Sequence, residues 1–181
     1  MQSLKTFLPK LSEIIGVTID QAYERQRILV KARVLKARPG RGPGSGVPAT
    51  PRNIALLLIA LMVGDFREHS VATIKQVANS MPLNASSAPY NASFLEALTQ
   101  LIAVGFPSYD QWPKEIRWRR DTLEAEIDVR AGVGFTTTHY QPKASAPPGK
   151  MLHVASILLG RALQRIRQEL VSNPLEKLAE D

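Results

Sequence analysis

Apolar residues recur every three or four positions through most of the chain, the spacing of amphipathic helices. In residues 3–15 this spacing predicts a helix, which Pro9 is expected to split or delay. Gly16 is expected to end that helix because glycine tolerates a positive φ. Thr18 is then the predicted N-cap of a second helix. Two consecutive helices with a glycine between them therefore open the chain.

A third helix begins at Thr50, where a capping hydroxyl is followed by Pro51 at the first helical position. It runs to about Val63 and is apolar on nearly every side, so other elements must surround it. Its apolar run is about half the length that a membrane span needs. The same spacing predicts further helices over residues 69–81, 93–105 and 150–170.

Between residues 115 and 142 the pattern changes to alternation with a period of two. Ala125 and Ile127 point one way, and Glu124, Glu126 and Asp128 point the other, which predicts a strand with one buried face. A second strand follows after a turn near residues 130–132, giving a small antiparallel β-hairpin or meander. Ile116 and Trp118 are candidates for an earlier strand.

Charge is distributed unevenly along the 181 residues. Residues 1–53 contain ten Lys and Arg and three acids, a net charge of +7, which equals the net charge of the whole chain. No acid occurs between Glu24 and Asp65. Such clustering favours a polyanionic partner, with nucleic acid first and an anionic membrane surface second. A basic, solvated face with no partner is the alternative.

Residues 11–29 fit a helix–turn–helix motif. Leu11 and Ser12 supply the apolar and small pair on the first helix, and Ile15, Gly16 and Val17 supply the turn. Gln and Arg side chains on the second helix can bond adenine and guanine edges in the major groove. The predicted groove-facing residues are Thr18, Gln21, Arg25 and Arg27. A plain helical hairpin is the alternative, and Asp20 and Glu24 on the same face argue against DNA.

The stretch KARPGRGPGSGVPATPRN, residues 36–53, lies where a winged helix–turn–helix protein places its wing. Glycines let a backbone approach DNA closely, and arginines reach phosphates or the minor groove. The predicted contacts to phosphate or to the minor groove are Lys31, Arg33, Lys36, Arg38, Arg41 and Arg52. The other interpretation of residues 36–49 is a flexible linker, and the two interpretations are compatible.

The segments LVKARVL, GRGPGS and TPRNIALLLIAL resemble the N-terminal module of transcriptional regulators from alphaproteobacterial prophages and gene transfer agents. The resemblance covers residues 3–64, about a third of the chain. It implies DNA binding at promoters and, for the activator branch, contact with the transcription machinery. Residues 65–181 carry no motif that matches.

Residues that could support catalysis are sparse. There is no cysteine, and His69, His139 and His153 are each isolated from metal-ligand partners. GRGPGSG lacks the Lys-Ser/Thr of a phosphate-binding loop. The carboxylates of residues 124–128 suggest either a cation site or, as favoured, a solvated strand face with cross-strand arginine partners. Arg117–Arg120, RWRR, is read as a packed strand rather than a single-strand contact.

The predicted fold class is mostly α with some β (α+β): an N-terminal (winged) helix–turn–helix, further helices, a small antiparallel hairpin and a C-terminal helix. Residues 1–64 form the DNA-binding module, and residues 65–181 form an α+β oligomerisation or partner-binding region.

The predicted function is sequence-specific double-stranded DNA binding by a cytoplasmic, non-enzymatic transcriptional regulator of phage or phage-derived genes. It uses no cofactor or membrane, and its partners are DNA, a second copy in a homodimer, and the transcription machinery. The alternatives are a phage small terminase subunit and a module that binds an acidic protein.

Overall fold

The fold combines helices with one antiparallel sheet, which confirms the α+β class. The computed structural model describes residues 2–40, 45–64, 70–83, 92–104, 113–119, 123–131, 134–142 and 155–171. The helices within these ranges are α1 (Leu4–Ile15), α2 (Ile19–Lys31), α3 (Pro51–Val63), α4 (Ser70–Ala78), α5 (Phe94–Ala103) and α6 (Gly160–Val171). The strands are β1 (Met81–Pro82), β2 (Pro113–Arg119), β3 (Ala125–Ala131), β4 (Gly134–Gln141) and β5 (Ala155–Leu159).

Helix α1 continues through Pro9, contrary to the prediction that this residue splits or delays it. Proline removes one backbone donor from the helix. Packing of the apolar face offsets that loss, because most helical stability in a protein comes from burial of such a face. Leu4, Phe7, Leu8 and Leu11 are all buried on it.

The predicted helix ends are confirmed where the capping residues identified them. Gly16 adopts a left-handed conformation with φ 74° and ends α1. The hydroxyl oxygens of Thr18 and Thr50 accept hydrogen bonds from the backbone N–H groups of Gln21 and Asn53, at 3.2 Å in each case. These caps satisfy donors that the first helical turn leaves without intrahelical partners.

Helix α3 lies at the centre of the molecule, as its all-round apolar character requires. Nine of its thirteen residues are buried. It packs against α2, α4, α5 and β5. The buried side chains form one hydrophobic cluster that extends from Leu4 to Ile166 and contains residues from both sides of Gly64.

The sheet is larger than the predicted hairpin. Strands β3 and β4 pair as expected, with Ile127 opposite Thr138, but they lie within a sheet of order β1-β4-β3-β2-β5 in which every described pairing is antiparallel. Ile116 and Trp118 belong to β2, and both are buried. The buried face also carries Tyr140, whose ring centroid lies 5.3 Å from that of Phe94 on α5.

The first part of the predicted helix 150–170 is wrong over residues 155–159, which form the edge strand β5. Ile157 pairs with Arg117 and Ser156 pairs with Trp118 of β2. The Ser156 hydroxyl also donates to the carbonyl oxygen of Met62, at 2.8 Å. The hydrogen bonds that β2 offers at its edge decide the conformation of this short apolar run, and the C-terminal helix begins at Gly160. Similarly, Met81 lies in β1 rather than in α4.

Candidate nucleic-acid interface

Helices α1 and α2 meet at a short turn whose geometry is fixed by the backbone. The N–H groups of Gly16 and Val17 both donate to the carbonyl oxygen of Ser12, at 2.9 and 3.2 Å. Ser12 is buried, as a small residue beneath a crossing helix should be. This turn connects α1 to α2, and it is common to a helix–turn–helix and to a plain helical hairpin.

The first two predicted groove-facing residues are used to start α2. The side-chain oxygen of Gln21 accepts a hydrogen bond from the backbone N–H of Thr18 at 3.0 Å, while the Thr18 hydroxyl oxygen accepts from the N–H of Gln21. Together they form a capping box. Both side chains are exposed, but these two oxygens already have partners within the protein.

The prediction that Arg25 lies on the exposed face of α2 is wrong. Arg25 is only 4% exposed, and Gln26, Ala22 and Leu29 are buried with it. Positions 22, 25, 26 and 29 share one side of a helix, so Arg25 lies on the inward stripe. Arg25 also has an interaction within the protein. Arg25 in this position does not reach a DNA groove.

Arg27 lies on the outer face of α2, with 68% of its side chain exposed. It forms an ion pair with Glu24 at 2.8 Å. The same helix exposes half of Ile19 and 40% of Tyr23, and the Lys5 ammonium lies 5.8 Å from the Tyr23 ring centroid. The outer face of α2 is therefore more apolar and less cationic than the sequence prediction held.

The cations that follow α2 differ from Arg25 and Arg27 in their surroundings. Lys31, Arg33, Lys36 and Arg38 are all exposed. None of the ion pairs between described residues involves any of these four side chains. Arg33 has a positive φ of 56°, which turns the chain out of the helix. Four positive charges thus stand on the surface within eight residues of chain.

The Gly/Pro-rich stretch that carries Arg38 closes on itself. The N–H of Arg38 donates to the carbonyl oxygen of Gly46 at 2.9 Å, and the N–H of Gly46 donates to the carbonyl oxygen of Arg38 at 3.0 Å. Next to this bridge, the N–H of Leu4 donates to the carbonyl oxygen of Val47. Arg41 lies outside the described residues. The bridge fixes both ends of the segment between residues 38 and 46.

Three of the predicted cations line a groove of about 720 Å³. Lys36 and Arg38 come from the segment after α2, and Arg52 comes from the first turn of α3. Lys75 of α4 is a fourth cation in the same lining, and no carboxylate lines the groove among the described residues. The groove is called the cationic groove below.

Lys75 was not among the predicted site residues. It lies on the outer face of α4, and only the packing of α4 against α3 brings it beside Arg52. The carboxylate of Glu96, on α5, is also influenced by Arg52. Hydrogen bonds from Ser93 hold the pKa of Glu96 below its usual range, and the Arg52 charge lowers that pKa further.

The sheet face opposite to Trp118 and Tyr140 carries a second charged cluster, in which both signs of charge occur. Glu126 is only 3% exposed, with Arg119 at 2.9 Å, His139 Nδ1 at 3.4 Å and Arg117 at 3.8 Å. Asp128 accepts a hydrogen bond from the Thr137 hydroxyl. These contacts confirm the predicted pairing with arginines across the strands. The prediction that these carboxylates lie on a solvated face is wrong for Glu126, which is buried among its partners. Within the described ranges, no group of three or more His, Asp or Glu side chains is placed to hold a metal ion.

The RWRR segment is a packed strand over its described part. Trp118 is 2% exposed. Arg117 and Arg119 on either side of it are engaged with carboxylates of β2 and β3. Arg120 lies outside the described residues, as do His69 and His153. An indole buried in this way is not available for stacking on bases.

A second groove, of about 470 Å³, lies between the end of α1 and β5. Ile157 and Leu159 are about half exposed at its edge. Lys10 and Arg165 flank Glu13 there, and hydrogen bonds from Lys10 above all hold the pKa of this carboxyl below its usual range. Charges of both signs at its edge distinguish this groove from the cationic groove.

No helix within the described part of the chain is long and apolar enough to cross a membrane. Comparison of the chain with protein-family models, with curated proteins and with solved structures finds no match. The function must therefore be inferred from the chain's own residues and their arrangement.

Proposed function

We propose that this protein binds double-stranded DNA through the cations that follow α2 and those of the cationic groove, and that it acts in transcriptional control. The observation that carries the proposal is a set of exposed cationic side chains that form no ion pair within 4.0 Å with a described carboxylate: Lys31, Arg33, Lys36, Arg38, Arg52 and Lys75. Among these, Arg52 is near enough to Glu96 for its charge to lower the pKa of that carboxyl. Surfaces of this kind attract the phosphate backbone and release its counterions.

The proposal treats α1 and α2 as a helix–turn–helix and residues 38–46 as its wing. The turn at Gly16 and the backbone pairing of Arg38 with Gly46 support this interpretation. Phosphate contacts fix the position of a protein on DNA, whereas base contacts select the sequence. Because Thr18, Gln21 and Arg25 are engaged within the fold, the geometry favours phosphate contacts from the exposed cations that follow α2 and line the groove over base contacts from α2.

A role in transcription, at phage or phage-derived promoters, rests on the resemblance of residues 3–64 to regulators of that class. Under this proposal the cations that follow α2 and those of the cationic groove supply most of the affinity. Of the two arginines predicted to face the DNA groove, only Arg27 has an exposed side chain. The acids on α2 are then tolerated because that helix carries little of the electrostatic attraction.

The proposal is tested by the double variant Lys36→Ala, Arg38→Ala. We expect it to bind short duplexes of any sequence more weakly and to lower the slope of log affinity against log salt by about two, since each lost phosphate contact lowers it by about 0.9. Fluorescence anisotropy at several salt concentrations measures both quantities.

The matched control is Arg161→Ala, Arg165→Ala, which removes two positive charges from α6 beside the other groove. We expect this variant to keep most of the wild-type affinity and slope. If the two double variants lose affinity equally, only the net charge matters and the proposed interface is wrong.

A further inference from the structure

The cationic groove differs from a surface that only lies against a duplex, because its floor is apolar. Val34, Leu56, Ile74, Ala78 and Leu95 line it beneath the four cations. Leu56, Ile74, Ala78 and Leu95 are each at least nine-tenths buried, so packing of α3, α4 and α5 fixes their positions. The groove therefore has a rigid, apolar base and a charged rim.

The positive charges on the rim of the groove indicate which kind of anion binds there. Lys36, Arg38, Arg52 and Lys75 place four positive charges around one groove, and the described lining contains no acid. A single carboxylate ligand would leave three of these charges unbalanced. A chain of phosphates supplies a matching negative charge, and guanidinium groups bond phosphate oxygens in bidentate fashion.

The size of the groove points to an organic group attached to those phosphates. Small-molecule sites usually occupy 300–1,000 Å³ and combine an apolar lining with a few converging polar groups. A volume of about 720 Å³ lies within that range. Asn53 and Asn79 also line the groove. The Asn53 side-chain amide is already committed, since it donates to the carbonyl oxygen of Pro48 at 2.9 Å.

We propose that the cationic groove binds a nucleoside triphosphate, with its phosphates on Lys36, Arg38, Arg52 and Lys75 and its base or sugar on the apolar floor. The site is formed by the packed helices and the segment after α2, so it is present without DNA. Bound nucleotide neutralises Lys36 and Arg38, and it therefore weakens DNA binding, a consequence that rests on the proposed function.

The test measures binding of ATP and of GTP to the full chain by calorimetry at low salt, with no DNA present. Adenosine and inorganic tripolyphosphate serve as probes for the two halves of the ligand. We expect each half to bind at least about tenfold more weakly than ATP, since each lacks the contacts of the other. Failure of both nucleotides to bind at millimolar concentration overturns the proposal, as does tripolyphosphate binding as tightly as ATP.

Two variants locate the site. Lys75→Gln removes one of the four cations that line the groove. We expect ATP to bind about tenfold more weakly, the size of a lost charge-assisted hydrogen bond. Ala37→Trp places a large side chain at an exposed position of the lining and is expected to block ATP while leaving the unfolding temperature unchanged. Unchanged ATP affinity in both variants places the nucleotide elsewhere and overturns the proposal.

The two proposals fail separately. Loss of nucleotide binding in Ala37→Trp with DNA affinity retained shows that the nucleotide needs the interior of the groove, whereas DNA needs only the exposed cations. Wild-type protein that binds ATP but no duplex contradicts only the DNA proposal. Lys10→Gln, on α1, is the control for removal of one lysine charge, and it is expected to bind ATP as the wild type does.

Discussion

Arg25 and Arg27 stand two positions apart on α2 in opposite environments. Arg25 is 4% exposed among side chains of the core, and Arg27 is largely exposed beside Glu24. Their separation along the helix accounts for this, because side chains two residues apart point to different sides. Arg25 therefore packs in the core, whereas Arg27 lies on the surface.

Replacement of each arginine by alanine distinguishes these roles. We expect Arg25→Ala to lower the free energy of unfolding by about 1–3 kcal/mol, since it removes a buried side chain whose stem packs in the core. Arg27→Ala should stay within about 0.5 kcal/mol of the wild type, since an exposed ion pair contributes little. Denaturant unfolding measures both, and equal stabilities would contradict the burial of Arg25.

Some residue-level features were predictable and others were not. Thr18, Thr50 and Gly16 act as the helix ends that their side chains indicate, because capping depends on local chemistry. The burial of Arg25 was readable from its spacing to Ala22 and Leu29, but an arginine is rarely placed on an inward stripe. The sequence did not identify Lys75 as a site residue, because its position in the same groove as Arg52 depends on tertiary packing.

At the scale of elements, α5 shows how a helix start depends on one carboxylate. The backbone N–H and hydroxyl of Ser93 both donate to Glu96, at 3.0 and 2.8 Å, and the Ser93 hydroxyl oxygen accepts from the N–H of Glu96. The donors favour the ionised carboxylate, which lowers its pKa from the ordinary value of 4.5. The start of α5 is therefore more stable while Glu96 is charged, in addition to the cap that the Ser93 hydroxyl provides.

This pKa shift predicts a pH dependence of stability. Because the pKa of Glu96 is lower in the folded state, its contribution is complete above the ordinary pKa and disappears as the pH falls through the lowered value. We expect Glu96→Gln to be less stable than the wild type at neutral pH and to approach its stability in acid, as the pH falls well below 4.5. Thermal unfolding at both pH values measures the difference, and a gap that persists in acid would contradict it.

The strands were harder to predict than the helices. Alternation identified β3 and β4 because one face of each is buried, and the carboxylates on the other face pair with arginines as expected. Residues 155–159 fit a helix or a strand equally well, since five mostly apolar residues carry no clear period. The unpaired edge of β2 selects the strand, and β2 lies far away in the sequence.

At the scale of the whole molecule, the net charge is confined to the first part of the chain, whereas the hydrophobic core contains residues from before and after Gly64. The net charge of +7 belongs to residues 1–53, which predicted where the cationic surface would lie. The core shows no such division, because α3 is enclosed by elements that come before and after it. The cationic surface and the rest of the molecule therefore share one hydrophobic cluster.

This packing makes a prediction about the isolated fragment 1–64. Helix α3 would lose α4, α5 and β5, and its nine buried residues would face water on those sides. We expect the fragment to show no cooperative unfolding transition and to aggregate, since an exposed apolar surface of this extent promotes association. Circular dichroism with light scattering tests it. A stable, monomeric fragment would instead support residues 1–64 as an independent domain.

The bridge between Arg38 and Gly46 gives the wing its own observable. The backbone N–H of each residue donates to the carbonyl oxygen of the other residue. Both residues lie between α2 and α3 in the chain, outside the helices and the five-stranded sheet. Their exchange with deuterium reports on opening of the wing while the amides of α3 remain protected. Slower exchange at these two positions on adding a ligand would show which molecules hold the wing closed.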